Sequence, residues 1–158
     1  MQLQEAAMKI CKHQDKSLKE DYIDIYYAQI TPQISGLFEY LDAMHTIAGK
    51  NQSAQRMIHV SEIFYCEIVD RKCYAYLEQE VYEIDFSLQK LLDTYHSNGL
   101  VRISRSMCVN VLKIQQVKTD FNMKLQLQLK NNEVVILNRN YKNEFYKYVK
   151  QLTGGHGA

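Results

Sequence analysis

Apolar and polar positions alternate most regularly in "MKLQLQLKNNEVVILNR", residues 123–139. Leu125, Leu127 and Leu129 are separated by glutamines, so the three leucines share one face of a strand. Asn131-Asn132 can take the positive φ values of a two-residue turn, and the segment predicts a β-hairpin. The same reading predicts strands at 56–60, 62–68, 73–78, 81–85, 100–103, 107–111 and 114–118, with a tight turn at "VDRK" (69–72). Residues 8–13, "MKICKH", and 22–28, "YIDIYYA", also alternate and predict two more strands, paired with each other.

Helical spacing occurs at three places. Thr31-Pro32 supplies an N-cap and a first-turn proline, and Ile34, Leu37, Phe38, Leu41 and Met44 then predict a helix over 32–46. Ser87 caps a short helix with Leu88, Leu91, Leu92 and Tyr95 on one stripe, closed by Gly99. A closing helix from about Tyr141 presents Phe145, Tyr148, Val149 and Leu152. The only linker-like stretch is "AGKNQSAQ", 48–55, where the domain boundary is placed. This divides the chain into a β/α lead-in (1–47), a main domain (55–152) and a flexible tail (153–158). The fold class is mainly β with α (α+β), built from small antiparallel sheets with a short helix.

Composition narrows the function classes. With 46% hydrophobic and 23% charged residues in 158, the chain can bury an ordinary core. No apolar run is long enough to span a bilayer, and the N-terminus lacks the pattern of a signal peptide, which predicts a cytoplasmic protein. Cys11, Cys66, Cys73 and Cys108 form no CxxC pair and are expected as reduced thiols, with Cys66 and Cys73 able to face each other across a hairpin. The five histidines stand apart from one another and from acids at ligand spacing, so no metal or cofactor is expected. Glycine-rich phosphate loops, HExxH, GxSxG and Cys/His constellations are absent from the sequence, and nothing motivates an enzyme.

Charge does more. Residues 1–101 hold nine Lys/Arg against fifteen Asp/Glu, whereas residues 102–158 hold ten against three. Such asymmetry suits a nucleic-acid-facing surface, although a solvated basic face would look the same. Basic residues also gather at strand ends: Arg71-Lys72, Arg102 and Arg105, and Arg139 with Lys142. Strand ends and loops are where a rigid sheet can present side chains to a ligand.

Three segments in order, "EIFYCEIVDRKCYAYL…EVYEIDFSLQKLL", "LVRISRSMCVNVLKI" and "MKLQLQLKNNEVVILNRNYKNEFYKYV", closely resemble the LytTR DNA-binding domain of bacterial transcriptional regulators. The likeness covers about residues 55–152, and residues 21–41 are similar to the lead-in of stand-alone members without a receiver domain. It implies double-stranded DNA read by loops that enter successive major grooves. Arg71 and Lys72 match one contact loop, Ser104, Arg105 and Ser106 a second, and Asn138, Arg139 and Lys142 a third. Asn138 stands where the family has serine, and Asn132 replaces the turn glycine. Arg105 reads as a base or phosphate contact and Arg102 as a phosphate contact, while Met107, Val109 and Val111 read as core. The resemblance further implies a homodimer on repeated half-sites and control by a co-expressed membrane protein. The alternative is a protein-interaction module whose N-terminal β/α unit binds a regulatory partner.

Overall fold

A strand keeps its place only where a neighbour completes its backbone hydrogen bonds, and this decides which alternating segments become sheet. The computed structural model describes residues 8–19 and 21–154. Among them are three α-helices, α1 (Pro32–Ala43), α2 (Leu88–Thr94) and α3 (Lys142–Gly154). The strands are β1 (Thr46–Lys50), β2 (Gln55–His59), β3 (Tyr65–Val69), β4 (Lys72–Tyr76), β5 (Val81–Ile84), β6 (Leu100–Arg102), β7 (Met107–Asn110), β8 (Ile114–Thr119), β9 (Leu125–Leu129) and β10 (Val134–Leu137). Seven of them form an antiparallel sheet in the order β2-β1-β5-β4-β3-β7-β6, and the last three form a second sheet, β10-β9-β8. The expected α+β class of small antiparallel sheets holds.

Side-chain alternation then separates two cores. Cys66, Cys108, Leu100 and Ile84 join α2, through Leu88 and Leu91, on one face of the large sheet. Phe64, Val101, Ile103 and Val109 turn the other way and meet Leu127, Leu129, Val135 and Leu137 of the small sheet. Phe145 of α3 is buried in the same cluster, with Tyr148 and Val149 packed beside it. Met107 and Val111 also pack there, as their core assignment requires.

The two layers are joined by one buried amide. Asn110 Nδ2 donates to the carbonyl of Ile63 (2.9 Å) while its Oδ1 accepts from the Leu112 N–H (3.1 Å). Gly99 must stay bare for this to happen: it sits at φ 94°, and a Cβ there would lie 2.5 Å from Asn110 Oδ1. Nearby, the Tyr148 hydroxyl accepts from Gly99 N–H (3.1 Å) and donates to the carbonyl of His96, tying α3 to the end of α2.

Several expectations need correction. Residues 8–13 and 22–28 form no strands, because none of the described residues pairs with them; Ile10, Tyr22, Ile23 and Tyr26 are exposed. The one ring contact there is Tyr27, edge-on to Phe38 of α1 at 5.5 Å. The first helix stops at Ala43 and Met44 is its C-cap, since the chain must turn into β1 at Thr46. The stretch 48–55 is the end of β1, a turn over 51–54 and the start of β2, not a linker: Asn51 Oδ1 accepts from Ser53 and Ala54 N–H at 2.9 Å each. Turn and linker compositions coincide, so residue types alone do not separate the two. Residues 60–62 form a 3-10 turn ahead of β3, with Glu62 accepting from the His59 N–H. In the β9–β10 loop only Asn132, not Asn131, has positive φ (70°). Lys130–Asn132 form a three-residue loop closed by the Leu129 N–H on the Glu133 carbonyl. Tail residues 155–158, and residues 1–7 of the lead-in, lie outside the described residues.

Replacing Asn110 with Leu strands the Ile63 carbonyl in the interior and removes the half-buried cap on the Leu112 N–H. It should cost about 2–3 kcal/mol in a urea titration. A midpoint equal to the parent's would show that the buried amide does not join the layers.

Candidate nucleic-acid interface

The turn between β3 and β4 has two residues, Asp70 and Arg71, with φ of 49° and 65°. Two successive positive φ values give the mirror-image turn that suits the twist of a hairpin. Aspartate tolerates that region; arginine has no such preference, and holding it there costs about 1–2 kcal/mol. The turn therefore places an exposed Arg71 at its tip against local preference. Lys72, the first residue of β4, has its Nζ 3.4 Å from Glu83 Oε2. Lys50 approaches the other oxygen of that carboxylate at 3.9 Å. Exposed pairs of this kind contribute about 0–1 kcal/mol, so a phosphate can displace Glu83 from Lys72 at small cost.

Residues 103–106 make the second loop, and backbone bonds hold it. The N–H groups of Ile103 and Ser104 both donate to the Met107 carbonyl, at 3.0 and 3.2 Å. Ser104 Oγ accepts from the Ser106 N–H (3.3 Å), and the Ser106 carbonyl accepts from the Ile68 N–H in β3 (2.8 Å). Arg102, read from sequence as a phosphate contact, is occupied otherwise. Its Nη1 donates to the Arg105 carbonyl (2.8 Å) and its Nη2 to Gln89 Oε1 of α2 (3.4 Å). One arginine thus braces the loop from behind and the other, Arg105, stands exposed at its crest. Gln89 carried no signal in the sequence, because its partner comes from a different element.

The third loop follows β10. The Asn138 N–H donates to the Ile103 carbonyl (2.8 Å), which fastens this loop to the second. Asn138 Oδ1 accepts from the Asn140 N–H (2.9 Å) and caps the 3-10 turn Arg139–Tyr141. Asparagine thus fills the family's serine position as a cap, with its amide N–H donors left over. Lys142 then opens α3, the 13-residue closing helix. Cations at a helix N-terminus oppose the helix dipole, and an anion placed there relieves both. Arg139 and Lys142 are exposed at that end.

Ser104, Ser106, Asn138, Arg139 and Lys142 line one groove of about 1140 Å³ between the two sheets. Arg71 and Lys72 line a separate depression of about 660 Å³, together with Lys50, Arg56 and Glu83. Arg105 lines neither. The Ile68–Ser106 and Asn138–Ile103 bonds nevertheless put all three loops at the same end of the large sheet. Sequence reasoning missed Tyr65, which lines the groove and stacks on Tyr76 at 4.3 Å. Burial, with Glu133 and Glu67 nearby, pushes its phenol well above the usual range, so it stays a neutral hydrogen-bond donor. Glu67 also lines the groove and moderates its positive charge. Among the described residues no group of three or more His, Cys, Asp or Glu is placed to hold a metal.

Residues 53–150 match the family model LytTR, the LytTr DNA-binding domain. The chain belongs to the LytTr DNA-binding domain family. The expected family and its DNA-binding role therefore hold. A solved LytTr DNA-binding domain, from a Bacillus cereus protein described as a methyl-accepting/DNA response regulator, superimposes with a TM-score of 0.62 at 25% identity. The match covers 66% of this chain and 96% of that one. An uncharacterised HTH-type transcriptional regulator of Staphylococcus aureus (strain bovine RF122 / ET3-1) is 22% identical over 125 residues, 77% of this chain and 84% of that protein. The sensory transduction protein LytT of Enterococcus faecalis is 26% identical over 89 residues, 56% of this chain and 37% of that protein. The helix-turn-helix in the first relative's name has no counterpart in this LytTr chain, where no two α-helices are consecutive among the described elements.

Arg71→Gly should relax the turn and raise stability by about 0.5–1 kcal/mol while weakening binding to duplex DNA. Thermal unfolding and fluorescence anisotropy on one preparation check both signs. A variant that is less stable, or that binds as tightly, contradicts the reading of Arg71 as a strained, presented contact.

Proposed function

We propose that this DNA-binding transcriptional regulator reads the major groove through three loops that are locked to one another rather than to a recognition helix. The carrying observation is the chain of backbone hydrogen bonds from Ile68 to Ser106 and from Ile103 to Asn138. Bracing of this kind fixes the spacing between contact loops before DNA arrives, so little ordering is left to oppose binding. Arg105 and Arg139 are exposed and carry planar forks suited to guanine edges. Lys72 and Lys142 are flexible point charges suited to phosphates, as is the Arg71 tip. Ser104, Ser106 and Asn138 shape the loops and offer short hydrogen bonds to the backbone. No residue of the interface is assigned a catalytic role.

Two molecules on repeated half-sites would double this contact set, and a homodimer on DNA is part of the proposal. The lead-in is assigned to regulation. Tyr22, Ile23, Tyr26 and Ile30 are exposed ahead of α1, an apolar series that favours a protein partner, here a co-expressed membrane regulatory protein. This N-terminal contact is the one feature that favours an interaction module, and it adds to DNA binding instead of replacing it. Among the described residues no helix is long and apolar enough to cross a membrane.

Lys72→Ala and Lys142→Ala should weaken cognate and scrambled duplexes about equally, and each should reduce the salt slope by about one. Arg105→Ala and Arg139→Ala should each cost about 1–3 kcal/mol on the cognate site and much less on scrambled DNA. A salt titration of the four variants measures this. Arginine variants that behave like the lysine variants would reduce the loops to electrostatic anchors.

A chain starting at His45 keeps β1 and should bind cognate DNA as tightly as the full chain. A chain starting at Asn51 lacks β1, which pairs with both β2 and β5, and should unfold at lower denaturant. Loss of specific binding from the longer truncation product would place residues 1–44 in the DNA-binding unit.

A further inference from the structure

The turn between β8 and β9 carries the most exposed large apolar side chains of the LytTr domain. Phe121 is 108% and Met123 81% exposed. The loop that bears them is firmly built. Asp120 Oδ1 accepts from the N–H groups of Asn122 (2.9 Å) and Lys124 (2.8 Å). The Asp120 N–H donates to the Lys124 carbonyl (2.9 Å), and the Met123 N–H returns to the Asp120 carbonyl (3.1 Å). Met123 is held at φ 61°, a conformation that methionine rarely adopts. The chain thus supports two apolar side chains in solvent with four hydrogen bonds and a strained residue.

Position and charge say what they face. Leu125 pairs with Thr119 in β8 and with Leu137 in β10, so the tip lies at the end of the small sheet where Asn138 and Arg139 emerge. Asn122, Met123 and Lys124 line the same groove as Ser104, Arg139 and Lys142. The tip is flanked by Lys118 and Lys124, and its one acid, Asp120, has an oxygen committed to two backbone N–H groups. An apolar point ringed by cations matches a polyanion with an apolar interior, which is a stacked duplex.

We propose that the β8–β9 tip is a fourth DNA contact, in which Phe121 acts as an apolar wedge against a base step and Met123 supports it. Side chains of this kind partly unstack a step and kink the duplex, and pyrimidine–purine steps yield most easily. Phe121 therefore selects sequence through deformability at a position where no arginine reaches a base edge. The inference rests on the loop reading above, since it takes the groove end of the small sheet as the DNA face.

The test uses the full chain and duplexes that the parent protein selects from a random-sequence pool. Binding, duplex bending by end-to-end energy transfer, and fluorescence of 2-aminopurine placed at successive steps are compared for Phe121→Ala, Phe121→Leu, Met123→Ala and Arg139→Ala. Phe121→Ala should lose about tenfold in affinity, with bend and 2-aminopurine signal lost and the salt slope unchanged. Phe121→Leu should recover most of each. Phe121→Ala that binds and bends like the parent, while Arg139→Ala fails, overturns the wedge alone. If both variants bind like the parent, the loop reading falls with it. A change confined to self-association in sedimentation without DNA would assign the tip to a second copy and overturn the proposal.

Discussion

Asn110 does what no apolar residue at its position could. The end of β7 must leave the large sheet and start the small one, and that change of direction leaves a buried carbonyl at Ile63 and a half-buried N–H at Leu112 without strand partners. A single amide group satisfies both. Buried polar groups left unpaired are costly, so this side chain stabilises the junction between the two sheets. Gly99 is a consequence, because any side chain there would occupy the space of the Asn110 oxygen.

Loops proposed to contact DNA in place of a helix face a particular difficulty. Loops have few internal hydrogen bonds, and each flexible residue adds to the entropy lost on binding. Here the load is taken by main-chain groups: Ser106 is bonded to β3, Ile103 to Asn138, and both Ile103 and Ser104 to Met107. Side chains that could have touched DNA are partly diverted to the same end. Arg102 braces the Arg105 carbonyl, Ser104 closes its own turn, and Asn138 caps the turn before α3. The division of labour between two neighbouring arginines, one bracing and one presented, follows from alternation. Arg102 ends β6 with its side chain toward α2, and Arg105 sits at the crest where no sheet constrains it.

The acid side of the interface has a similar logic. Glu83 holds Lys72 and Lys50 in place without burying either, and Glu67 reaches into the groove. If the proposed loops face DNA, these carboxylates would lower non-specific affinity. The three buried thiols, Cys66, Cys73 and Cys108, belong to the other side of the sheet. Cys66 lies opposite Cys108 in β7, not opposite Cys73, which pairs with Ile68. Contact with those two thiols, and burial, push the Cys66 pKa well up, so it packs as a neutral small side chain.

Local patterns were enough for what depends on near neighbours. Leu125-Leu127-Leu129 with their glutamines, the Ser87 cap and the stripe of α3 are all settled within a few residues, whereas α2 stops at Thr94 and Gly99 closes the following 3-10 turn, His96–Asn98. That the three basic positions fall in turns and loops was legible as well, because the spacing of strands around them carries the family pattern. Tertiary structure decided whatever needs a distant partner. Residues 8–13 and 22–28 alternate as well as true strands do, yet lack a neighbour to hydrogen-bond, and they stay outside the sheets. The stretch 48–55 reads as a linker until β1 is seen paired with β5, about 35 residues further along the chain. Arg102 and Arg105 are indistinguishable as residues; only Gln89 in α2 and the Arg105 carbonyl show which of them is engaged. Sequence determines which side chains lie on which face of an element, since that follows from backbone periodicity. Which face meets protein and which meets solvent is settled only when the elements pack, because burial is a property of pairs.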